Sequence, residues 1–248
     1  MQHNTAVPPS IVISDTMAAF VGRALTLRPH RKAVTTIAVT LDVPFTLELH
    51  QSCGSALRTV EQTCAVIEPH QLHRIASPGR MLFLYVDASR EVPDLAALAG
   101  RAPAQLARDL AAAGASALTL MTSVETALGL APTATTDPGF AAALEMLRTQ
   151  PDKITTVKQA AMLAQLSPSH FQKRLKDACG VAFRPYRLWQ RMRLAVLSVR
   201  RGSPMTAAAL DAGFSSSAHF SASFRQMFGL SMTALLKANV AIDAVRTT

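Results

Sequence analysis

Cysteine is scarce in this chain: Cys53, Cys64 and Cys179 are the only three among 248 residues. None has the Cys-x-x-Cys spacing of a zinc or redox pair, and an odd count suits reduced thiols in the cytoplasm better than a disulfide framework. A long apolar run is missing too. The longest uncharged stretch, Leu110 to Val124, is too short to cross a bilayer and is diluted by Ala, Gly, Ser and Thr. Residues 1–10 are polar, so an export leader is not expected. The chain also lacks a nucleophile motif, a phosphate-cradling glycine loop and a pair of carboxylates. Ser169 and His170 are sequence neighbours that point apart on a helix. No catalytic residue and no cofactor is therefore expected, and the chain reads as something other than an enzyme.

What is present is positive charge, placed unevenly. Residues 1–150 carry 11 Lys and Arg against 12 Asp and Glu, whereas residues 151–248 carry 14 against 4. The whole excess behind the net charge of +9 lies in the last hundred residues. That is the electrostatic footprint of a nucleic-acid binder. A basic membrane-surface helix is the rival, but these charges are spread over several segments rather than one amphipathic face. No membrane association is expected.

The basic region contains a repeat. Shifted by 49 residues, His170-Phe171 falls on His219-Phe220, Leu175 on Phe224, Lys176 on Arg225, Gly180 on Gly229 and Ala160 on Ala209. Each copy has helix-turn-helix grammar. In the first, Val157, Ala160, Ala161 and Ala164 make a helical stripe. Ser167 and Pro168 then suit the cap and first turn of a second helix that runs to about Ala178, and Gly180 stops it. In the second, Met205 to Ala212 is followed by a turn at Gly213-Phe214 and a helix from Ser215 to Met227, stopped by Gly229. Phe171 and Leu175 face inward, while Ser169, Gln172, Lys173 and Lys176 face out. Such polar and cationic side chains can read base edges in a major groove.

These residues carry a family resemblance. Leu166-Ser167-Pro168-Ser169-His170-Phe171, Gly180 to Tyr186, Arg193-Leu194-Ala195, Ala212 to Phe220 and Phe224 to Ser231 together resemble the DNA-binding domain of the AraC/XylS regulators. The resemblance covers about a third of the chain. It departs at Met232, where the family often has proline. It implies a DNA-binding transcription regulator, with double-stranded DNA as partner, RNA polymerase as a second partner, and pairing into a homodimer. The base-facing candidates are Ser169, Gln172, Lys173, Ser217, Ala218, His219 and Ala222. The phosphate-facing candidates are Lys176, Arg225 and three arginines of the helix that joins the copies, Arg187, Arg191 and Arg193. Trp189 on that helix is expected to pack rather than to stack on a base.

The N-terminal part reads as β. Ile37, Val39 and Leu41 alternate with polar or small residues, as do Phe45, Leu47 and Leu49. Cys64 to Ile67 and Met81 to Val86 read as more deeply buried strands. This layout resembles the cupin-like barrel at the front of many AraC/XylS members. The expected class is α+β: a cupin-like barrel over 1–90, a helical segment over 91–136 that covers the barrel or pairs two chains, and an all-α double helix-turn-helix over 137–248. Two apolar stripes mark the middle segment, one through Leu95, Leu98, Ala102, Leu106 and Leu110, the other through Leu118, Met121, Val124 and Leu128. His30, His50, His70 and His73 are candidates to line a pocket for a small-molecule effector. The His-x-His pair of metal-holding cupins is missing, since Arg31-Lys32 follow His30, so no metal is expected. A cupin-type enzyme with a DNA-binding tail is the alternative function.

Overall fold

The computed structural model describes residues 9–14, 17–23, 29–32, 34–50, 56–86, 90–91, 103–112, 114–132, 137–228, 232–237 and 241–244. Cys53, the stripe residues Leu95, Leu98 and Ala102, linker positions 133–136 and Gly229 lie outside them. The strands are β1 (Ser10–Ile13), β2 (Met17–Arg23), β3 (Thr35–Thr40), β4 (Phe45–His50), β5 (Ala56–Gln62), β6 (Cys64–Ile67), β7 (His73–Ala76), β8 (Arg80–Val86), β9 (Arg90–Glu91), β10 (Ala131–Pro132) and β11 (Ala241–Ala244). The helices are α1 (Pro103–Ala112), α2 (Ala117–Leu128), α3 (Pro138–Thr149), α4 (Val157–Leu163), α5 (Pro168–Cys179), α6 (Phe183–Arg200), α7 (Met205–Asp211), α8 (Ser217–Phe228) and α9 (Met232–Lys237).

Strand alternation builds the N-terminal half. Along β8, Leu82, Leu84 and Val86 enter one apolar cluster while Met81, Phe83 and Tyr85 enter another. A strand that buries both faces must be central, and β8 sits between β2 and β3 in a six-stranded sheet of order β11-β1-β2-β8-β3-β6. A second sheet, β5-β4-β7, contributes Phe45, Leu47 and Ile75 to the cluster that holds Phe83 and Tyr85, so the two sheets face one another. Among the described residues the strands form these two facing sheets and a short β9-β10 ladder rather than the closed barrel that the sequence suggested. Each fully buried Leu of this core contributes about 1.5–3 kcal/mol.

The other face of the large sheet is covered by α1 and α2, whose Ala104, Ala107, Ala111, Leu120, Met121, Val124 and Leu128 pack on Ile37, Val39, Leu82 and Leu84. The covering role of this segment is thus observed. On α1 the buried stripe is alanine, with Leu106 and Leu110 only half-buried, because short side chains let the helix lie close to the sheet. Ser116 caps α2 by accepting from Thr119, and Gly129 closes it in the left-handed region.

The described residues from 137 onward form helices α3 to α9, their connecting turns and β11. Asp137 caps α3, accepting from the Phe140 amide at 3.1 Å, with Pro138 in the first turn. Phe140, Leu147, Ala160, Phe171, Leu175 and Phe183 form a cluster of their own, the core of the first helix-turn-helix unit. The second unit differs. Its Ala209, Ala212, Phe214, Phe220 and Phe224 join Trp189, Met192 and Val196 of α6 in the same cluster that fills the space between the two sheets. Trp189, 2% exposed, stands 6.4 Å from Tyr85 of β8, so it packs as expected.

Candidate nucleic-acid interface and ligand cavity

Two reading helices are set up by local sequence. Thr156 accepts from the Gln159 amide while Gln159 reaches back to the Thr156 amide, a reciprocal cap that starts α4. Ser167 Oγ accepts from the His170 amide at 3.2 Å to start α5, and Ser216 Oγ accepts from the His219 amide at 3.1 Å to start α8. Both turns reverse through a left-handed residue, Gln165 (φ 54°) in the first and Gly213 (φ 83°) in the second. The Leu166 amide donates to Ala161 and the Phe214 amide to Ala209. Leu166 therefore matches Phe214, and Ala160, Ala161 and Ala164 match Ala208, Ala209 and Ala212. The offset is 48 residues up to the turn and 49 beyond it, which corrects the pairing of Ala160 with Ala209. The second turn is one residue longer.

On α5, Ser169, Gln172, Lys173 and Lys176 are all exposed, as are Ala218, His219, Ala222 and Arg225 on α8, with Ser217 half-exposed. Lys173 pairs with Asp177 one turn along at 2.7 Å, both in solvent. His219 is held by Ser215, whose Oγ lies 3.0 Å from its Nδ1, and by edge contact with the Phe214 ring.

The three arginines of α6, expected to face phosphates, are bonded inside the protein. Arg191 and Arg193 are buried and Arg187 half-buried, each bonded within the domain. Arg187 Nε donates to the Pro151 carbonyl at 2.6 Å, and Arg193 donates to the Arg148 carbonyl at 2.8 Å and to Gln190 at 3.2 Å. Arg191 donates to the carbonyls of Ala212 and Gly213 and covers the Phe214 ring. Burial pushes its guanidinium down to about 10. These side chains fasten α6 to the two units. No sequence pattern distinguishes a stapling arginine from an exposed one on a long basic helix; only the neighbouring carbonyls do.

A cavity of about 310 Å³ lies between the halves, lined by Arg31, Lys32, His70, Arg184, Pro185, Leu188, Ser223 and Gln226. Lys32 is the residue that the sequence reading missed. It is 4% exposed, with Nζ 4.7 Å from the Tyr85 ring centroid and 5.3 Å from that of Phe83. Burial pushes it down to about 7. Of the four candidate histidines only His70 lines this cavity; its left-handed backbone (φ 63°) receives Arg31 on its carbonyl. The other three come together beside the cavity, inside the sandwich. His30 and His73 exchange backbone hydrogen bonds with their rings 4.6 Å apart, and the His50 amide donates to Leu72. His73 Nδ1 donates to the Gln71 carbonyl at 2.8 Å. Burial, then the Lys32 charge, push His73 down to about 3. Among the described residues no group of three or more His, Cys, Asp or Glu is placed to hold a metal ion, and no helix is long and apolar enough to cross a membrane.

Residues 160–238 match the helix-turn-helix domain family of AraC type. No curated protein matches the chain. Among solved structures, ToxT from Vibrio cholerae is similar at 10% identity, with a TM-score of 0.53, over 90% of this chain and 98% of that one. ToxT bound to (E)-4-(8-methylnaphthalen-1-yl)but-3-enoic acid gives 11% identity, a TM-score of 0.54, and 90% and 99% coverage. Unsaturated fatty acid-bound ToxT gives 11% identity, a TM-score of 0.52, and 91% and 96%. The fold of ToxT is shared over 90% of the chain, and the chain carries an AraC-type helix-turn-helix domain over residues 160–238.

Proposed function

We propose that the chain is a sequence-specific DNA-binding transcription regulator whose activity is set by an organic acid in the cavity between its halves. One observation carries the DNA-binding reading: two capped helices, α5 and α8, present exposed polar and cationic faces from one AraC-type domain. Such helices enter successive major-groove segments about 34 Å apart. The effector reading rests on Lys32, a buried cation with Arg31, Arg184 and His70 around the same space and Pro185 and Leu188 as its apolar wall. Unsaturated fatty acid and the naphthyl-butenoic acid bound in ToxT structures are likewise carboxylic acids with apolar bodies.

On this reading the chain performs no catalysis, works in the cytoplasm as a homodimer with RNA polymerase as partner, and divides at about residues 90 and 136. Selection of random duplexes followed by footprinting tests it. One protected sequence, with affinity altered by a medium-chain fatty acid in the parent and unaltered in Lys32→Met, is the expected result. Uniform coverage of any duplex would leave only a charge-reading protein.

A further inference from the structure

The C-terminal strand does not belong to the domain that precedes it. β11 runs parallel to β1 at the edge of the sensory sheet, with Ser10 opposite Ala241, Ile11 opposite Ile242, Val12 opposite Asp243 and Ile13 opposite Ala244. It is the one parallel pairing among the strands described; every other pair is antiparallel. Only positions 238–240 separate it from α9, whose Met232 is fully buried in the cluster of the second helix-turn-helix unit. The chain therefore passes from the second reading unit directly back into the sheet of the other half.

The sensory half thus grips both reading units. Pro69 sits against the end of α5: a Cβ on Gly180 would lie 3.5 Å from Pro69 Cγ. The second unit is held twice, by the shared apolar cluster and by the β11 ladder. With both units in contact with one sandwich, those contacts restrain the angle between them. Seating two helices in successive groove segments demands one particular angle. A four-residue parallel ladder at a sheet edge is the attachment that opens at least free energy, since short edge elements exchange by local unfolding well below the global barrier.

We propose that β11 is a releasable latch: paired with β1 it holds the second reading unit to the sensory sheet, and it leaves β1 when the protein docks on its operator. This rests on the regulator reading above. Release exposes the outer edge of β1 and leaves α8 and α9 held to the sandwich by the apolar cluster alone, so that they can shift with the duplex.

The test locks the latch in the full-length protein. Ile11→Cys with Ile242→Cys places two thiols on facing residues of adjacent strands about 4.8 Å apart, within disulfide reach. Oxidation should lower affinity for the selected operator about tenfold or more, and reductant should restore it. Each single-cysteine variant should show no redox effect. In the opposite direction, Ile242→Pro with Asp243→Pro removes a ladder donor, because successive amides point to opposite sides of a strand. That variant should bind more tightly than the parent, and amide exchange in residues 10–13 of the parent should rise when operator is added. If the oxidised lock, shown to be formed by mass, binds as tightly as its reduced form, the latch is refuted while the regulator reading stands. If the parent binds no selected sequence at all, the regulator reading falls and the latch with it.

Discussion

Arg191 lies over the ring of Phe214, its Cζ 4.2 Å from the centroid, and donates to the carbonyls of the two residues before it, Ala212 and Gly213. One side chain of α6 thereby satisfies the turn of the second unit and seals its core. Arg191→Ala should destabilise the protein by about 2–4 kcal/mol, the sum of two unmet carbonyls and a lost cation–ring contact. A denaturant melt reads this directly. A melt within 0.5 kcal/mol of the parent, the scatter of about ±0.5 kcal/mol seen for plain surface changes, would show that the staple carries no weight.

The exposed cations behave differently. Lys176 on α5 and Arg225 on α8 are in solvent on the reading faces. Replacing Lys176 by Ala should leave the melt unchanged and reduce the slope of log K against log salt by about 0.9. For a folded Arg191→Lys variant the slope should stay as in the parent. The opposite pattern would return Arg191 to the phosphates.

Lys32 gives the protein a pH signature. Its amine is held at about 7 in the folded state against 10.5 when free, so the unfolded chain binds the extra proton between those values. Stability should rise with pH across about 7 to 10.5, by at most about 1.4 kcal/mol per pH unit from this group, and flatten below 7 where both states are charged. Lys32→Met should remove that rise and be the more stable protein at pH 7. An organic acid needs the charged amine, so its binding should weaken as pH climbs above 7. Titration calorimetry at pH 6.5 and 8.5 checks this, and equal affinity at both would detach the acid from Lys32.

The two reading helices should contribute unequally to sequence preference. Gln172 and Lys173 on α5 can hydrogen-bond adenine and guanine edges, whereas α8 offers Ala218 and Ala222 beside His219. In a selection on randomised operators, Gln172→Ala and Lys173→Ala should each relax one half-site, by about 1–3 kcal/mol of discrimination. His219→Ala should do less than both together, its Nδ1 already being engaged by Ser215.

Residues 137–248 alone should fold around the first unit and leave an apolar face behind. Trp189, Met192 and Val196 share their cluster with the sandwich. The fragment should melt below the full chain, bind a hydrophobic dye and show red-shifted emission from its single tryptophan. Emission matching the full chain would mean that α6 closes its own core.

Much of this was legible before the structure. Ser167 and Asp137 are caps and Pro168 a first-turn residue because of what they are, whatever surrounds them, and the alternation through Met81 to Val86 announces a strand buried on both faces. What stayed hidden depends on partners far away in sequence. Arg193 looks like any exposed arginine until the Arg148 carbonyl is placed beside it. His30, His50 and His73 converge only when β4 and β7 are paired. Lys32 carries no local sign of burial, because the two rings that hold it come from β8. The strand at Ala241–Ala244 has no alternation partner nearby, since its mate lies at the other end of the chain.

The extra residue in the second turn sets a rule for rebuilding this protein. Leu166 and Phe214 plug equivalent holes, yet one residue separates Leu166 from the first residue of α5 and two separate Phe214 from that of α8. A recognition surface moved from one unit to the other must therefore be counted from the capping serines, Ser167 onto Ser216, and never from the helices upstream. A graft counted from Ala160 or Ala208 would arrive one residue, about 100°, out of phase and would put Gln172 of α5 onto the buried position of Phe220.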